Sequence, residues 1–221
     1  MSISPKLALL EEYALVARAL SAPARLSLLE QLAQGERGVE ALADKTGLTI
    51  ANCSQHLQQL RRAGLVTSRR DGKAVIYSLT DAKMLELMDL LRIVAERNLA
   101  QVERILRGLS GGKDAPEPVS RADLAARLAE GSVTVLDVRP ADEYAAGHIP
   151  GALNATPADL ERIMPTLAKD AEIVAYCRGP YCVYAHQAVA ALRRHGLNAR
   201  RLDGGLPEWR EEGRPVLSAP T

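Results

Sequence analysis

Two cysteines separated by four residues, Cys177 and Cys182, are the side chains of this sequence best suited to nucleophilic chemistry. A short apolar run precedes them and a helical pattern begins at Val183, which predicts a strand-to-helix turn. Backbone N–H groups converge at such a turn and the helix dipole presents its positive end there, so both stabilise a thiolate. Gly179 and Pro180 bend the chain so that successive amides can surround the sulfur. We therefore expect a reactive thiolate at Cys177 and a second thiol at the rim of its loop.

Length and composition indicate an ordinary globular protein with room for one large or two small domains. The chain has 221 residues, of which 47% are hydrophobic and 25% charged. No apolar stretch approaches the roughly 20 residues of a membrane span, and the N-terminus lacks a signal-peptide pattern. Three cysteines are too few for a disulfide scaffold. We expect a cytoplasmic protein without a membrane partner, whose thiols serve chemistry or packing.

Charge and composition divide the chain in two. Residues 1–110 hold 15 Lys/Arg against 12 Asp/Glu, a balance of +3, whereas residues 111–221 hold 13 against 15, a balance of −2. Residues 110–118 are rich in Gly, Pro and charge, which is typical of a linker. We therefore predict two domains, residues 1–109 and residues 119–221.

The first half has the pattern of a helix-turn-helix. Apolar residues recur every three or four positions over 5–20 and 24–34, and a short helix is expected over 39–45. Thr49 is then suited to cap a further helix that ends at Gly64. Helix, short turn and helix in this order is the organisation of a helix-turn-helix.

The second of these helices has one apolar and one polar face. Cys53, Leu57 and Leu60 fall on one side of a helical wheel, so we expect Cys53 to be a small buried hydrophobe. Amides, hydroxyls and guanidinium groups occupy the rest, which suits contacts in the major groove of DNA, although such residues also solvate ordinary surface helices. The candidate DNA-binding residues of this helix are Thr49, Asn52, Ser54, Gln55, His56, Gln58 and Arg62.

A hairpin follows the helix. Residues 65–70 and 74–79 alternate between apolar and polar, and Asp-Gly between such runs is a strong hairpin signal. A helix-turn-helix followed by a hairpin is a winged helix. Arg69, Arg70 and Lys73 lie at its tip, where they are suited to contact the phosphate backbone.

Segments 22–26, 54–57, 60–66 and 76–79 resemble the ArsR/SmtB family of bacterial repressors. The resemblance covers about residues 7–107. It implies a homodimer that binds a palindromic operator in double-stranded DNA and represses transcription. The pair of close cysteines that forms the metal site of many members is missing at 38–43, which puts metal sensing in doubt. Residues 82–107 have helical spacing throughout, so we expect one helix of about 39 Å that pairs with a second copy.

The second half alternates helical and strand patterns, which predicts an α/β domain with a largely parallel sheet. Strands are expected over 133–137, 172–176 and 199–202. Asp137 and Cys177 both fall at the carboxyl ends of strands, where ligands collect in such sheets. The sequence therefore predicts a carboxylate and a nucleophile on the same rim.

Three regions, 136–154, 176–179 and 202–209, together resemble the rhodanese family of sulfur-transfer domains. The resemblance covers about residues 119–214. It implies that Cys177 takes up sulfane sulfur as a persulfide, that Asp137 and Arg139 brace the site, and that loop amides, including those of Arg178 and Gly179, cradle the terminal sulfur. Cys182 replaces the Arg or Lys that many members carry at the rim.

The fold class expected is thus a mainly α winged helix-turn-helix followed by an α/β rhodanese-like domain. The function expected is a regulator that senses sulfane sulfur from a persulfide, polysulfide or thiosulfate, with Cys182 resolving the Cys177 persulfide to a disulfide. Two alternatives stay open: a working sulfurtransferase tethered to a DNA-binding domain, and a repressor in which the two thiols bind arsenite or a soft metal. No cofactor and no dedicated metal site is predicted.

Overall fold

The computed structural model describes residues 4–110, 116–168, 171–179 and 181–218. Its coordinates divide into two compact units, residues 1–86 and residues 87–221. The predicted linker falls largely outside the described residues, and the domain limits at 109 and 119 stay a prediction. No helix in the described part of the chain is long and apolar enough to cross a membrane.

The first unit is a winged helix-turn-helix, as predicted. Its elements are α1 (Pro5–Leu20), α2 (Pro23–Ala33), β1 (Arg37–Gly38), α3 (Val39–Thr46), α4 (Ile50–Arg62), β2 (Val66–Asp71) and β3 (Ala74–Leu79). The strands form an antiparallel sheet in the order β1-β3-β2, and the hairpin places Arg70 opposite Val75. Leu28, Leu42 and Leu57, one each from α2, α3 and α4, are fully buried and form the centre of its core.

Two helices follow the wing, where the sequence predicts one. They are α5 (Lys83–Asn98) and α6 (Ala100–Leu109). The single helix expected over 82–107 is wrong because Leu99 takes an extended backbone conformation, with φ −110° and ψ 98°. The side chain of Asn98 donates a hydrogen bond to the carbonyl of Val94 at 2.8 Å, and such a bond competes with the helical ladder.

The rest of the second unit is an α/β fold. Its elements are α7 (Arg121–Glu130), β4 (Val133–Asp137), α8 (Ala141–Ala146), β5 (Leu153–Asn154), α9 (Leu160–Ile163), a 3₁₀ turn (Met164–Thr166), β6 (Glu172–Tyr176), α10 (Tyr184–Arg194), β7 (Ala199–Arg201) and α11 (Leu206–Glu211). The strands form a parallel sheet in the order β5-β4-β6-β7, as the alternating pattern predicts. Apolar clusters pack on both faces of this sheet.

Candidate functional site

The segment from Cys177 to Cys182, called the cysteine loop below, joins the end of β6 to the start of α10. The two cysteines are joined by a disulfide, with their Cα atoms 6.3 Å apart. Cys177 is 2% exposed, and Cys182 packs against the apolar cluster beneath α10. The N–H of Cys182 donates to the carbonyl of Gly179 at 3.2 Å, which closes a turn across the loop. Gly179 has φ 131°, a conformation that strongly favours glycine.

Pro180 lies outside the described residues, so its share in bending the loop stays a prediction. The ring of amides expected around the sulfur of Cys177 also stays a prediction.

An ion pair anchors the cysteine loop to α8. The guanidinium of Arg178 donates to both carboxylate oxygens of Glu143, with Nε to Oε2 and Nη2 to Oε1 both at 2.9 Å. The Glu143 side chain is fully buried and that of Arg178 is 13% exposed. Because the contact is bidentate and shielded from water, it fixes the direction of the loop immediately after Cys177. The sequence gives no role to Glu143, which lies 35 residues away.

A second buried pair lies beneath the loop. Asp137 and Arg139 are 0% and 1% exposed, and Nη2 of Arg139 lies 2.6 Å from Oδ2 of Asp137. The hydroxyl of Tyr176 donates to the same carboxylate at 2.6 Å, and burial raises the pKa of Tyr176 well above its ordinary value. Tyr176 immediately precedes Cys177, so the network holds the end of β6. Both predicted bracing residues are therefore buried in one network that reaches the cysteine loop through Tyr176, and their role in the site stays a prediction.

Gly205 lets a neighbouring segment approach the cysteine loop closely. A Cβ at this position would lie 2.5 Å from the carbonyl oxygen of Cys177 and 2.8 Å from the carbonyl carbon of Arg178. The adjacent Leu206 N–H donates to the Cys177 carbonyl at 3.2 Å. The glycine at 205 thus has a steric reason, because backbone packs against backbone here, whereas Gly204 has φ 87° and meets side chains.

Residues of α5 that belong to the second unit also contact the loop. The hydroxyl of Tyr181 donates to the carbonyl of Met88 at 3.1 Å, and Met88 is 2% exposed. The sequence assigns no function to Tyr181. Its position between the two cysteines is the signal that would have pointed to it.

The candidate DNA-binding surface is built on α4. Thr49 caps the helix, as predicted, because its hydroxyl accepts from the N–H of Asn52 at 3.3 Å. Cys53 is fully buried, which confirms its packing role, and burial raises the pKa of its thiol. The predicted contact residues divide by exposure: Thr49, Asn52, Gln55, Gln58 and Arg62 are exposed, whereas Ser54 and His56 are half-buried.

Arg25 of α2 locks α4 in place, a role that the sequence does not reveal. Its Nη1 donates to Oε1 of Gln59 at 2.6 Å, and its Nη2 donates to the carbonyl of Arg18 at 2.7 Å. One guanidinium therefore ties α4 to the end of α1. The polar residue Gln59 consequently serves the fold and leaves its neighbours on the outer face free for other contacts.

The wing presents exposed cations, but they differ in their surroundings. Arg69 pairs with Glu36 and with Asp71, and both pairs are about half exposed. Arg70 and Lys73 are exposed near the Gly72 turn, where Gly72 has φ 59°. Since Arg69 already has two carboxylate neighbours, Arg70 and Lys73 are the better placed of the three for phosphate contacts.

Two domain families match the chain: a helix-turn-helix domain at residues 20–69 and a rhodanese-like domain at residues 120–212. Together with the fold and the cysteine loop, these matches define a class of two-domain protein. In it, a winged helix-turn-helix of the kind found in regulators precedes a rhodanese-like domain.

Similarity to a curated protein extends over nearly the whole chain. The HTH-type transcriptional regulator Rv0324 of Mycobacterium tuberculosis is 44% identical over 211 residues, which cover 96% of this chain and 92% of that protein. A probable mercury resistance operon repressor of Streptomyces lividans is 37% identical over 86 residues, 39% of this chain and 69% of that protein. The chain therefore belongs to the ArsR/SmtB-type helix-turn-helix transcriptional regulators, as a member that carries a rhodanese domain.

Solved structures resemble the two parts separately. A homodimeric winged helix-turn-helix DNA-binding domain from Mycobacterium bovis is 39% identical and covers 45% of this chain and 92% of its own, with a TM-score of 0.41. A rhodanese-related protein from Thermoplasma volcanium is 30% identical and covers 46% of this chain and 98% of its own, with a TM-score of 0.42.

Proposed function

We propose that this regulator senses sulfane sulfur through Cys177 and Cys182, and that the state of the cysteine loop changes its affinity for operator DNA. The observation that carries the proposal is the bridge itself. The two sulfurs are bonded across one short loop, in a chain that also contains a helix-turn-helix. A Cα separation of 6.3 Å lies within the range that a disulfide spans.

The chemistry needs no reagent other than a sulfane-sulfur donor. The Cys177 thiolate attacks the outer sulfur of a persulfide, R–S–SH, so a Cys177 S–S bond forms and the donor S–S bond breaks, with RS⁻ leaving. The Cys182 thiolate then attacks Sγ of the Cys177 persulfide and expels the outer sulfur as hydrosulfide. The two thiols are oxidised by two electrons to a disulfide, and the sulfane sulfur is reduced to sulfide.

The contacts that anchor the cysteine loop support a change confined to its Cys182 end. Arg178 is held by Glu143, and Tyr176 by Asp137, on the Cys177 side of the loop. Cys182 and Tyr181 lie at the other end, next to α10 and α5. Bond formation at Cys182 is therefore expected to move the Tyr181 side of the loop more than the Cys177 side.

Operator binding is proposed to use a homodimer. α1 carries exposed apolar side chains spaced by three residues, with Leu7, Leu10 and Tyr13 exposed by 50%, 49% and 61%. Such an exposed apolar stripe along α1 favours burial against another surface. A second copy related by a two-fold axis would cover it and would present two α4 helices to a palindromic site.

The test combines mapping of sulfur with DNA binding. Reduced protein is treated with inorganic polysulfide, digested and mapped by mass spectrometry, and operator affinity is measured on the same sample. We expect added sulfur on Cys177, or a bridge to Cys182, together with a changed operator affinity. Cys177→Ser should abolish both effects, and Cys182→Ser should keep the persulfide but lose the bridge.

Cys53→Ala is the matched control because it removes the third thiol, which is buried on the packed side of α4. Its ratio of treated to untreated operator affinity should equal that of the unmodified chain. Wild-type behaviour of Cys177→Ser would contradict the proposal. Sulfur on Cys177 with steady turnover and unchanged DNA affinity would indicate the tethered sulfurtransferase, and stoichiometric arsenite binding lost in Cys182→Ser would indicate the soft-metal repressor.

A further inference from the structure

A cavity of about 530 Å³ lies in the second unit, among α5, α6, α10 and β7. A narrow second pocket borders both Cys177 and Cys182. The two share Glu96, His186 and Arg201, so they are contiguous. The volume falls within the range of small-molecule sites. Because Cys177 is almost completely buried, a donor that reaches its sulfur has to approach through such an opening.

Arg201 is the unusual residue of this cavity. It lies at the end of β7 and is half-buried, and its guanidinium makes no ion pair within 4 Å and no hydrogen bond with the described residues. By contrast, Arg92 pairs with Asp89 and Glu96, and Arg107 pairs with Glu103. Burial lowers the pKa of Arg201, and Arg92 adds to that effect, while Asp203, Glu96 and Glu117 stabilise its charge from a longer distance. A guanidinium in this setting has donors available for a planar anion.

The other charges of the cavity leave one carboxylate available. Glu96 and Glu103 are engaged by Arg92 and Arg107, whereas the side chain of Glu117 makes no ion pair with a described residue. His186 adds no positive charge, because burial and the nearby Arg201 and Arg92 lower its pKa to about 4. Its Nδ1 lies 2.9 Å from the hydroxyl of Ser110. Among the described residues, Arg201 and Glu117 are thus the cation and the anion of the lining that make no ion pair, and they act on each other only from a longer distance.

We propose that this cavity binds the sulfur donor, and that the donor is a zwitterionic persulfide of the amino-acid or short-peptide type. Its carboxylate binds Arg201, its ammonium group faces Glu117, and its outer sulfur is directed through the narrow pocket to Cys177. A carboxylate matches the planar guanidinium with two parallel hydrogen bonds. Arg201, at the end of β7, thereby supplies a cation near the cysteine loop. The rim of that loop carries Cys182. This inference rests on the proposed function, whose first step it specifies.

The test compares a zwitterionic donor with one in which the carboxylate and the ammonium group are both blocked. Reduced protein is mixed with cysteine persulfide or with the persulfide of N-acetylcysteine methyl ester, which lacks both charges, and sulfur on Cys177 is followed by mass spectrometry. Arg201→Gln should slow transfer from cysteine persulfide by about tenfold, the effect of losing one charged hydrogen-bonded contact, and leave transfer from the ester within about twofold. Arg194→Gln, an exposed arginine of α10, is the matched control and should change neither rate.

An equal loss with both donors would show that Arg201 supports the loop, and no loss with either would show that it does not bind the donor; both results overturn the inference. A binding measurement separates this failure from that of the proposed function. S-methylcysteine, which carries no transferable sulfur, should bind the unmodified chain in calorimetry and bind Arg201→Gln at least about tenfold more weakly. Binding without any sulfur uptake from either donor would refute the proposed function and keep the site, whereas absence of binding would refute the site.

Discussion

The cysteine loop and the outer face of α4 carry the two candidate functions, and they differ in how far the side chains involved are buried. Around the loop the supporting side chains are buried: Asp137, Arg139 and Glu143 are exposed by 0%, 1% and 1%. On α4, Gln55 and Gln58 project into solvent from a helix whose stability depends on its other face. The proposed chemistry at the loop therefore depends on the fold that surrounds it, whereas the candidate DNA-binding side chains are expected to be replaceable without loss of structure.

The largest effect should come from the most buried charge. Asp137→Asn leaves Arg139 without its carboxylate, and breaking a buried ion pair on one side costs about 3–5 kcal/mol. We expect that loss of unfolding free energy for the second unit in chemical denaturation, with loss of sulfur uptake at Cys177 under native conditions.

Glu36→Gln is the matched change for an exposed ion pair, since it removes the carboxylate that faces Arg69 on the wing. It should leave the denaturation midpoint unchanged, because water solvates both groups. Similar destabilisation in the two variants would mean that burial does not distinguish the two regions.

Close backbone packing gives the next effect. In Gly205→Ala, the new methyl group would collide with the carbonyl of Cys177, and overpacking of this kind costs about 1–3 kcal/mol. Because the collision falls on the loop itself, we expect a larger relative effect on the rate of Cys177 persulfidation than on the free energy of unfolding. Both are measurable on one preparation, by mass spectrometry and by denaturation.

Gly108→Ala is the control for this substitution, since a Cβ there meets no atom within 4 Å. It should keep the wild-type rate of sulfur uptake. A wild-type rate in Gly205→Ala would show that the loop can yield to the methyl group, and the steric account of Gly205 would be wrong.

The features that the sequence predicts well depend on residues that are close to one another in the chain. Helical spacing and capping foretell α4, its Thr49 cap and its buried Cys53, because these depend on neighbours a few residues away. The parallel sheet follows from alternation of helix and strand patterns. Where one local signal competes with another, as at Leu99, the single helix expected across it is wrong.

The contacts that position the sites are long-range, and spacing does not encode them. Arg178 meets Glu143 across 35 residues. Arg25 meets Gln59 across 34 residues. Glu143 and Gln59 taken alone have the sequence signature of ordinary polar surface residues, and only the topology of the chain brings them to their arginine partners. This is why a bond between Cys177 and Cys182 could be considered from the sequence while the anchors of their loop could not.

Substitutions on the exposed surface of α4 should change operator affinity without changing the stability of the protein. Gln55→Ala removes an exposed amide suited to a base edge, and a good contact of this kind is worth about 1–3 kcal/mol. We expect a fall in operator affinity of about tenfold or more, with an unchanged denaturation curve. Arg162→Ala, which removes an exposed charge from α9, should leave operator affinity unchanged. Equal affinity in Gln55→Ala and wild type would remove Gln55 from the DNA-binding surface.

The smallest effect tests whether the two regions communicate through Tyr181. Its hydroxyl bonds the Met88 carbonyl in α5, a helix that begins at Lys83 within the first unit. One neutral hydrogen bond contributes about 1 kcal/mol, so Tyr181→Phe can change the ratio of treated to untreated operator affinity by at most about fivefold. Sulfur uptake should remain normal, since no bond to Cys177 is altered.

Tyr184→Phe is the matched control for that variant. The Tyr184 ring packs under the guanidinium of Arg178, while its hydroxyl makes no hydrogen bond with a described residue. Removing that hydroxyl should leave the operator response at its wild-type value. If Tyr181→Phe also responds as wild type does, the signal does not pass through this bond. Coupling would then have to arise from the bridge at Cys182 acting on α10, which begins only two residues later.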